Sequence, residues 1–440
     1  MKKSTLILLL VAVGLGVFVY FYEYKGGEKR QQAEAERKKI FQFKDEDISR
    51  LSINRAGETL TFERRDNDWV MTQPISAKAD YSNVSSLITN LTTSQIDRKL
   101  AASADKLAGY GLEQPAVTLT ITLKSGEQRQ IKFGNKDFAG TSVYALIDGG
   151  QEVAMVPAYL LDSVDKSAFE WRDKSLLDVT FEQVTALELT TPAGHFQLSK
   201  QGDQWQLQQP RSLPADSAEV SSIVSQLTSA RMTEVVAEQA DDLKPYGLDK
   251  PLISAKLRTQ KGDEQILMLG KKEGEHYFGK INTKSPVFKL ASDVYTTLDV
   301  TLFKLRNKKP AIFSQDEITR IQLKNEHQTI VCEKSGDKWL MKQPTEQKDK
   351  EVRAYEIFTP LTINDAKEIF DVPPKEATAA LTNPLVEVHL TKRDGQTITI
   401  SLSKKVGEFV YIKNNSSPAV MKFEASLLDQ LNVKADTLVL

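Results

Sequence analysis

Three stretches of this chain superpose without a gap: Glu46–Pro74, Glu182–Pro210 and Asp316–Pro344. Trp69, Trp205 and Trp339 fall in register, as do Gln73-Pro74, Gln209-Pro210 and Gln343-Pro344. Three of the four tryptophans therefore occupy one repeat position, which chance does not produce. Self-similarity at a fixed period constrains a fold more than any single motif, because each copy must solve the same packing problem. The period continues past this block. Tyr110-Gly111-Leu112 with Pro115 matches Tyr246-Gly247-Leu248 with Pro251; the third copy keeps Leu381 and Pro384 but has Ala379-Ala380 in place of Tyr-Gly. Ser125-Gly126-Glu127 recurs as Lys261-Gly262-Asp263 and Asp394-Gly395-Gln396. Modules are expected at residues 40–174, 175–309 and 310–440, each of ordinary domain size.

Inside a module the periods are those of an antiparallel sheet with helices. Ile48, Leu51 and Ile53 open a first strand, and Leu60 and Phe62 alternate with Thr59, Thr61 and Glu63, the period of two of a strand with one buried face. Asp66-Asn67, Gly202-Asp203 and Gly336-Asp337 supply residues that tolerate positive φ, hence a tight hairpin. The tryptophan strand follows, and Gln-Pro ends it, since proline cannot donate to a ladder. Asp80 and Asp216 stand where N-caps would. Behind them Val84, Leu87, Ile88 and Leu91, and then Val220, Ile223, Val224 and Leu227, take helical spacing. A second hairpin turns at Gly126, and strands near Tyr144 and Val153 with a helix near Leu160 close the unit. The fold class read from this is α+β: an N-terminal transmembrane helix, then three tandem modules, each an antiparallel sheet with packed helices. The repeated tryptophans are expected to plug cores rather than stack on a sugar or peptide. Tyr-Gly-Leu-x-x-Pro reads as a helix end with glycine in the left-handed region. The basic run Lys304, Arg306, Lys308 and Lys309 reads as a solvated boundary between modules.

The N-terminus sets the expected compartment. Ser4–Tyr22 carries no charge, and nineteen helical residues reach about 28 Å, close to the thickness of a bilayer's hydrocarbon. Tyr20, Phe21, Tyr22 and Tyr24 crowd its end, where an aromatic belt sits. A cleaved signal peptide would end in small residues instead, so residues 1–24 are expected to be an uncleaved transmembrane signal anchor. Lys2 and Lys3 favour a cytoplasmic N-terminus, whereas Lys25, Lys29, Arg30, Arg37, Lys38 and Lys39 weigh the other way. The short basic N-terminus before a large C-terminal region decides for N-terminus inside. Residues 25–39 form a charged stalk, with Glu34 and Lys38 at helical i,i+4 spacing. The expected location is the bacterial inner (cytoplasmic) membrane, crossed once, with the modules periplasmic.

Few residues in the chain are arranged for chemistry. A formal net charge of -1 offers no field to hold a phosphate backbone, so nucleic acid is not an expected partner. Cys332, the single cysteine, falls in a strand-like run and reads as a small buried residue rather than a nucleophile. His195, His276, His327 and His389 share no repeat position and no metal-ligand spacing. Ser103 with Lys106, and Ser163 with Lys166, match only the loose start of a serine–lysine motif whose companions are missing. No catalytic, cofactor or metal residues are assigned, no cofactor is expected, and the chain is expected not to be an enzyme. A hydrolase with a cryptic carboxylate pair remains the remote alternative.

Taken together, the anchor, the stalk and the repeated D-I-x-x-L-x-I, G-D-x-W-x-L-x-x-P and Y-G-L-x-x-P elements resemble the family called domain of unknown function 4340. The resemblance covers nearly the whole chain after Phe41, and the third copy departs from it at Ala379-Ala380. It implies a bacterial single-pass envelope protein, of a kind often encoded beside ABC-2-type and gliding-motility-type transporter subunits. It further implies an accessory role next to a transporter; with a tandem array on an anchor and no recognised chemistry, the expected function is an extracytoplasmic accessory or scaffold protein, its modules an elongated rod docked on an ABC-type transporter or cell-envelope assembly. The rival is an envelope protein that binds glycan, peptide or lipid in a groove between modules.

Overall fold

A computed structural model describes residues 13–16, 20, 34, 36–101 and 104–440. Most of the expected anchor at residues 1–24 and most of the stalk lie outside the described residues. Among the described residues no helix is long and apolar enough to cross a membrane. The chain forms two compact units, Met1–Ser175 and Leu176–Leu440, the second holding two modules.

In the first unit the strands are β1 (Ile48–Arg55), β2 (Glu58–Arg65), β3 (Asp68–Gln73), β4 (Ala77–Lys78), β5 (Arg98–Ala101), β6 (Val117–Leu123), β7 (Gln128–Lys136), β8 (Ser142–Ile147) and β9 (Glu152–Pro157). They make one sheet in the order β4-β3-β2-β1-β6-β7-β8-β9-β5, with antiparallel pairing throughout. Helix α1 (Tyr81–Thr93) joins β4 at one edge to β5 at the other. Thirteen helical residues cover about 20 Å, while nine flat strands would span about 38 Å. The sheet accordingly wraps the helix: one cluster of buried side chains runs from Trp69 and Met71 on β3 to Val156 on β9, with Val84, Leu87, Ile88 and Leu91 of α1 inside it. Each such aliphatic side chain contributes about 1.5–3 kcal/mol of burial, so packing holds this short helix more than propensity does. Asp80 caps α1 by accepting from Asn83 N–H at 3.0 Å. Two short helices, α2 (Tyr159–Val164) and α3 (Ala168–Trp171), close the core.

The second unit repeats this plan. Its first module has β10 (Val184–Thr191), β11 (Gly194–Gln201), β12 (Gln204–Gln209), β13 (Leu213–Pro214), helix α4 (Ser217–Ser229), β14 (Glu234–Ala237), β15 (Ile253–Thr259), β16 (Glu264–Glu273), β17 (His276–Ile281) and β18 (Val287–Ala291), followed by α5 (Ser292–Leu298) and α6 (Leu302–Leu305). The strand order is that of the first sheet, position for position. Asp216 caps α4 as Asp80 caps α1. The last module has β19 (Ile318–Lys324), β20 (Thr329–Ser335), β21 (Lys338–Gln343), helix α7 (Tyr355–Ile363), β22 (Glu368–Phe370), β23 (Val386–Lys392), β24 (Thr397–Leu402), β25 (Phe409–Asn414), β26 (Val420–Glu424), α8 (Ser426–Leu431) and α9 (Ala435–Leu438). It has eight strands, because the segment after Pro344 turns through Thr345–Gln347 instead of forming the short edge strand.

The copies agree in their irregularities as well as their regular elements. The pairing of the first strand slips at Ile48/Arg50, Val184/Ala186 and Ile318/Arg320. That slip explains the sequence pattern: Ile48 and Leu51 are an odd number of residues apart, yet both are buried, because the bulge adds one residue between them. A second slip recurs at Thr61/Phe62, Gln197/Leu198 and Val331/Cys332. The peptide bonds Gln73-Pro74, Gln209-Pro210 and Gln343-Pro344 are all cis. Asp66, Gly202 and Gly336 hold the positive φ expected at the hairpins.

Candidate functional site

The residues singled out for chemistry do not converge. Cys332 is fully buried with its Sγ 3.9 Å from Met341 Sδ, and burial pushes its thiol up to about 12. A thiol so placed is a poor nucleophile. Nδ1 of His195 lies 3.1 Å from the Thr190 hydroxyl, and Nδ1 of His389 lies 3.1 Å from the Thr399 hydroxyl, each across its own hairpin. His276 begins β17, and His327 sits in the turn between β19 and β20. Ser163 Oγ donates to the Leu160 carbonyl at 2.7 Å, while Lys166 Nζ reaches Asn83 Oδ1 at 2.5 Å, so this serine and lysine serve separate partners. Ser103 lies outside the described residues. Among the described residues no group of three or more His, Cys, Asp and Glu is placed to hold a metal ion.

The repeated tryptophans belong to the cores. Trp69 and Trp205 are buried, and Trp339 is half-buried with its ring 5.6 Å from that of Phe358, edge to face. Burial of this kind is what a core residue gives, and Trp205 also borders the cleft described below.

What does converge is the joint between the two modules of the second unit. The basic run there was expected to be solvated; the structure corrects this. Arg306 is 7% exposed, and its Nη1 lies 3.0 Å from Asp371 Oδ1 just beyond β22. Arg211, from the loop before β13, pairs with the same carboxylate. One Asp thus joins two arginines from the preceding module, and burial, then the charge of Arg211, push the Arg306 guanidinium down. Lys308 Nζ is held 2.7 Å from Asp216 Oδ2, the cap of α4, and Lys309 Nζ lies 2.9 Å from Asp365. Asn414 Nδ2 donates to the Pro310 carbonyl at 2.9 Å. The sequence hid this because Asp371 is remote in the chain from both arginines.

Beside this clamp lies a cleft of about 420 Å³, within the size range of small-molecule sites. One wall comes from β12 and β13 with Arg306; the other comes from Ile312, Ile369, Asn414 and Met421 of the last module. Apolar and polar side chains share its lining, with more of the exposed surface apolar, and Arg306 and Lys309 supply its positive charge.

A family model described as Domain of unknown function (DUF4340) matches residues 69–206 and again 205–384. Each match begins at a module tryptophan, so the family window is out of phase with the structural module and runs from one copy into the sequence of the next. No curated protein matches the chain. A crystal structure of the DNA polymerase sliding clamp from Pseudomonas aeruginosa with ligand aligns over 89% of this chain and 94% of that one, at 6% identity and a TM-score of 0.13. A likeness that low carries no argument.

Proposed function

The chain belongs to the DUF4340 family, and from that premise we propose that it is a membrane-tethered extracytoplasmic scaffold, an accessory to an ABC-type transporter or cell-envelope assembly. The observation that carries the reading is the clamp at Asp371. Two arginines from one module and a carboxylate from the next lock consecutive copies together, as a scaffold requires if its surfaces are to hold a fixed relation. Burial of Arg306 makes loss of that carboxylate costly. The uncharged run Ser4–Tyr22 supplies the tether, and the basic Lys2-Lys3 end keeps the N-terminus inside. Fusion of a periplasm-active reporter after Leu440, with carbonate extraction of the membranes, tests the placement. An inactive reporter, or release of the chain by carbonate, would overturn it.

The cleft beside the clamp favours a second reading, in which the joint also admits an envelope ligand with an apolar body and an anionic group. Calorimetric titration of the full chain with medium-chain fatty acids tests it; heats no larger than those of the Arg306→Gln variant would end it.

A further inference from the structure

The cleft at the Asp371 joint has a counterpart in the first module. There, about 580 Å³ is enclosed by residues 37–42, the start of β5, and the turn between β8 and β9. The two clefts use the same positions of the repeat. Arg37, Lys39, Gln42, Lys99, Ile147 and Ala154 line the first; Asn307, Lys309, Ile312, Ile369, Asn414 and Met421 stand at those positions and line the second. In the last module this hollow is a socket, and β12 and β13 of the preceding module form its second wall. The first module is preceded by the stalk and the uncharged run Ser4–Tyr22 instead of another module.

Its lining has changed accordingly. Arg98, Lys99 and Arg129 correspond to Glu234, Val235 and Gln265 in the second copy, and to Glu368, Ile369 and Ile398 in the third. With Arg37, Lys38 and Lys39, six cations face two lining acids, Asp97 and Glu152. The backbone fixes this convergence: Ile96 N–H donates to the Lys38 carbonyl at 2.8 Å, and Ile40 N–H to the Ser94 carbonyl at 3.0 Å. Arg129 is braced by Asp148 at 2.6 Å and lies over the Phe41 ring. Lys99 reaches Glu152 at 3.2 Å, Lys38 reaches Glu34 and Lys39 reaches Glu36. Arg37 and Arg98 are exposed and make no ion pair among the described residues. The floor is apolar, with Ile40, Ile96 and Ile147.

We propose that the socket of the first module seats the phosphodiester headgroup of an anionic membrane lipid. Cations around a phosphate make charge-assisted hydrogen bonds, and the isoleucine floor suits the glycerol and upper acyl carbons. Arg37 follows Tyr22 by fifteen positions, about 22 Å if helical and about 50 Å if extended, which keeps the socket within reach of the bilayer surface. The proposal rests on the tethered reading given above.

The test is calorimetric titration of the full chain in dodecyl maltoside micelles with dihexanoyl-phosphatidylglycerol, dihexanoyl-phosphatidylcholine and inorganic phosphate. The variant Arg98→Glu/Lys99→Val installs the residues of the second copy, which fold on the same edge strand. Lys124→Glu, an exposed lysine on the hairpin after β6, controls for two of the three units of charge that the double variant loses. The expected result is saturable binding of the phosphatidylglycerol, weaker by about tenfold or more in the double variant and unchanged in Lys124→Glu. No saturable binding, equal binding by the double variant, binding of the phosphatidylcholine at similar concentration, or displacement by inorganic phosphate at similar concentration would each overturn it. Micelles carry the chain whether or not Ser4–Tyr22 crosses a bilayer, so carbonate extraction can fail without this titration failing.

Discussion

The carbonyl oxygen of Tyr246 lies 2.1 Å from the point that a Cβ on Gly270 would occupy. The first module repeats the contact between Tyr110 and Gly134 at 2.2 Å. In the third copy Tyr-Gly is Ala379-Ala380, and the position of Gly270 is taken by Ser403. The loop and the strand glycine have changed together, as expected if the loop's close approach is what excludes a side chain. Gly270→Ala and Gly134→Ala should each cost about 2 kcal/mol of the stability of their own unit, read by urea unfolding. Gly274→Ala, where a Cβ meets open space but φ is positive, should cost about 1 kcal/mol. Equal losses at all three positions would mean that the contact does not matter.

Asp371 should be worth more to the second unit than either of its partners is alone. Asp371→Ala leaves Arg306 buried without its carboxylate and should cost about 2 kcal/mol or more. Arg211→Ala removes a side chain that is 43% exposed and should cost under about 1 kcal/mol. Hydrogen exchange should show residues 307–312 opening in the first variant and not in the second.

The acid limb of stability should carry the signature of Asp216. Burial disfavours its charge, but the Lys308 hydrogen bond, the Glu219 N–H and the charges of Lys308 and Lys309 outweigh this and hold the carboxyl below its ordinary value. A folded pKa depressed in this way contributes stability that is present above the unfolded value near 3.9 and is lost as pH falls through the folded value. Asp216→Asn keeps a capping side chain and loses the charge. It should be less stable than the parent by on the order of 1 kcal/mol at pH 7, and the gap should close in acid. A gap independent of pH would refute the assignment.

Buried tryptophans and thiol give two inexpensive checks of the cores. Trp205→Ala should cost about 3–5 kcal/mol, and iodide should quench mainly Trp339 in the native protein. Cys332, with its thiol pushed to about 12 by burial, should ignore a disulfide reagent at pH 8 and react fully once unfolded. Native-state labelling at the unfolded rate would contradict the burial.

The repeat was legible because hairpins and capped helices impose local patterns. Leu60 and Phe62 alternate, Asp80 precedes a helical spacing, and Gly126 turns a hairpin, each readable within a few residues. The edge strands β4 and β5 were not legible. Ala77–Lys78 and Arg98–Ala101 are too short and too polar to show a period. The joint was misread for a different reason: a run of cations says nothing about whether a carboxylate lies opposite, and Asp371 reaches Arg306 only through the fold. The cation substitutions at Arg98, Lys99 and Arg129 stood in the sequence all along. They acquired meaning once the last module showed that those positions line a socket.

The scaffold reading is tested most directly by purifying the full chain from its own membranes in a mild detergent and quantifying what accompanies it. The account predicts a fixed, near-stoichiometric ratio to integral subunits of an ABC-type transporter or envelope assembly, maintained through size exclusion. Recovery of the chain by itself from the same membranes, with no such subunit enriched, would contradict it.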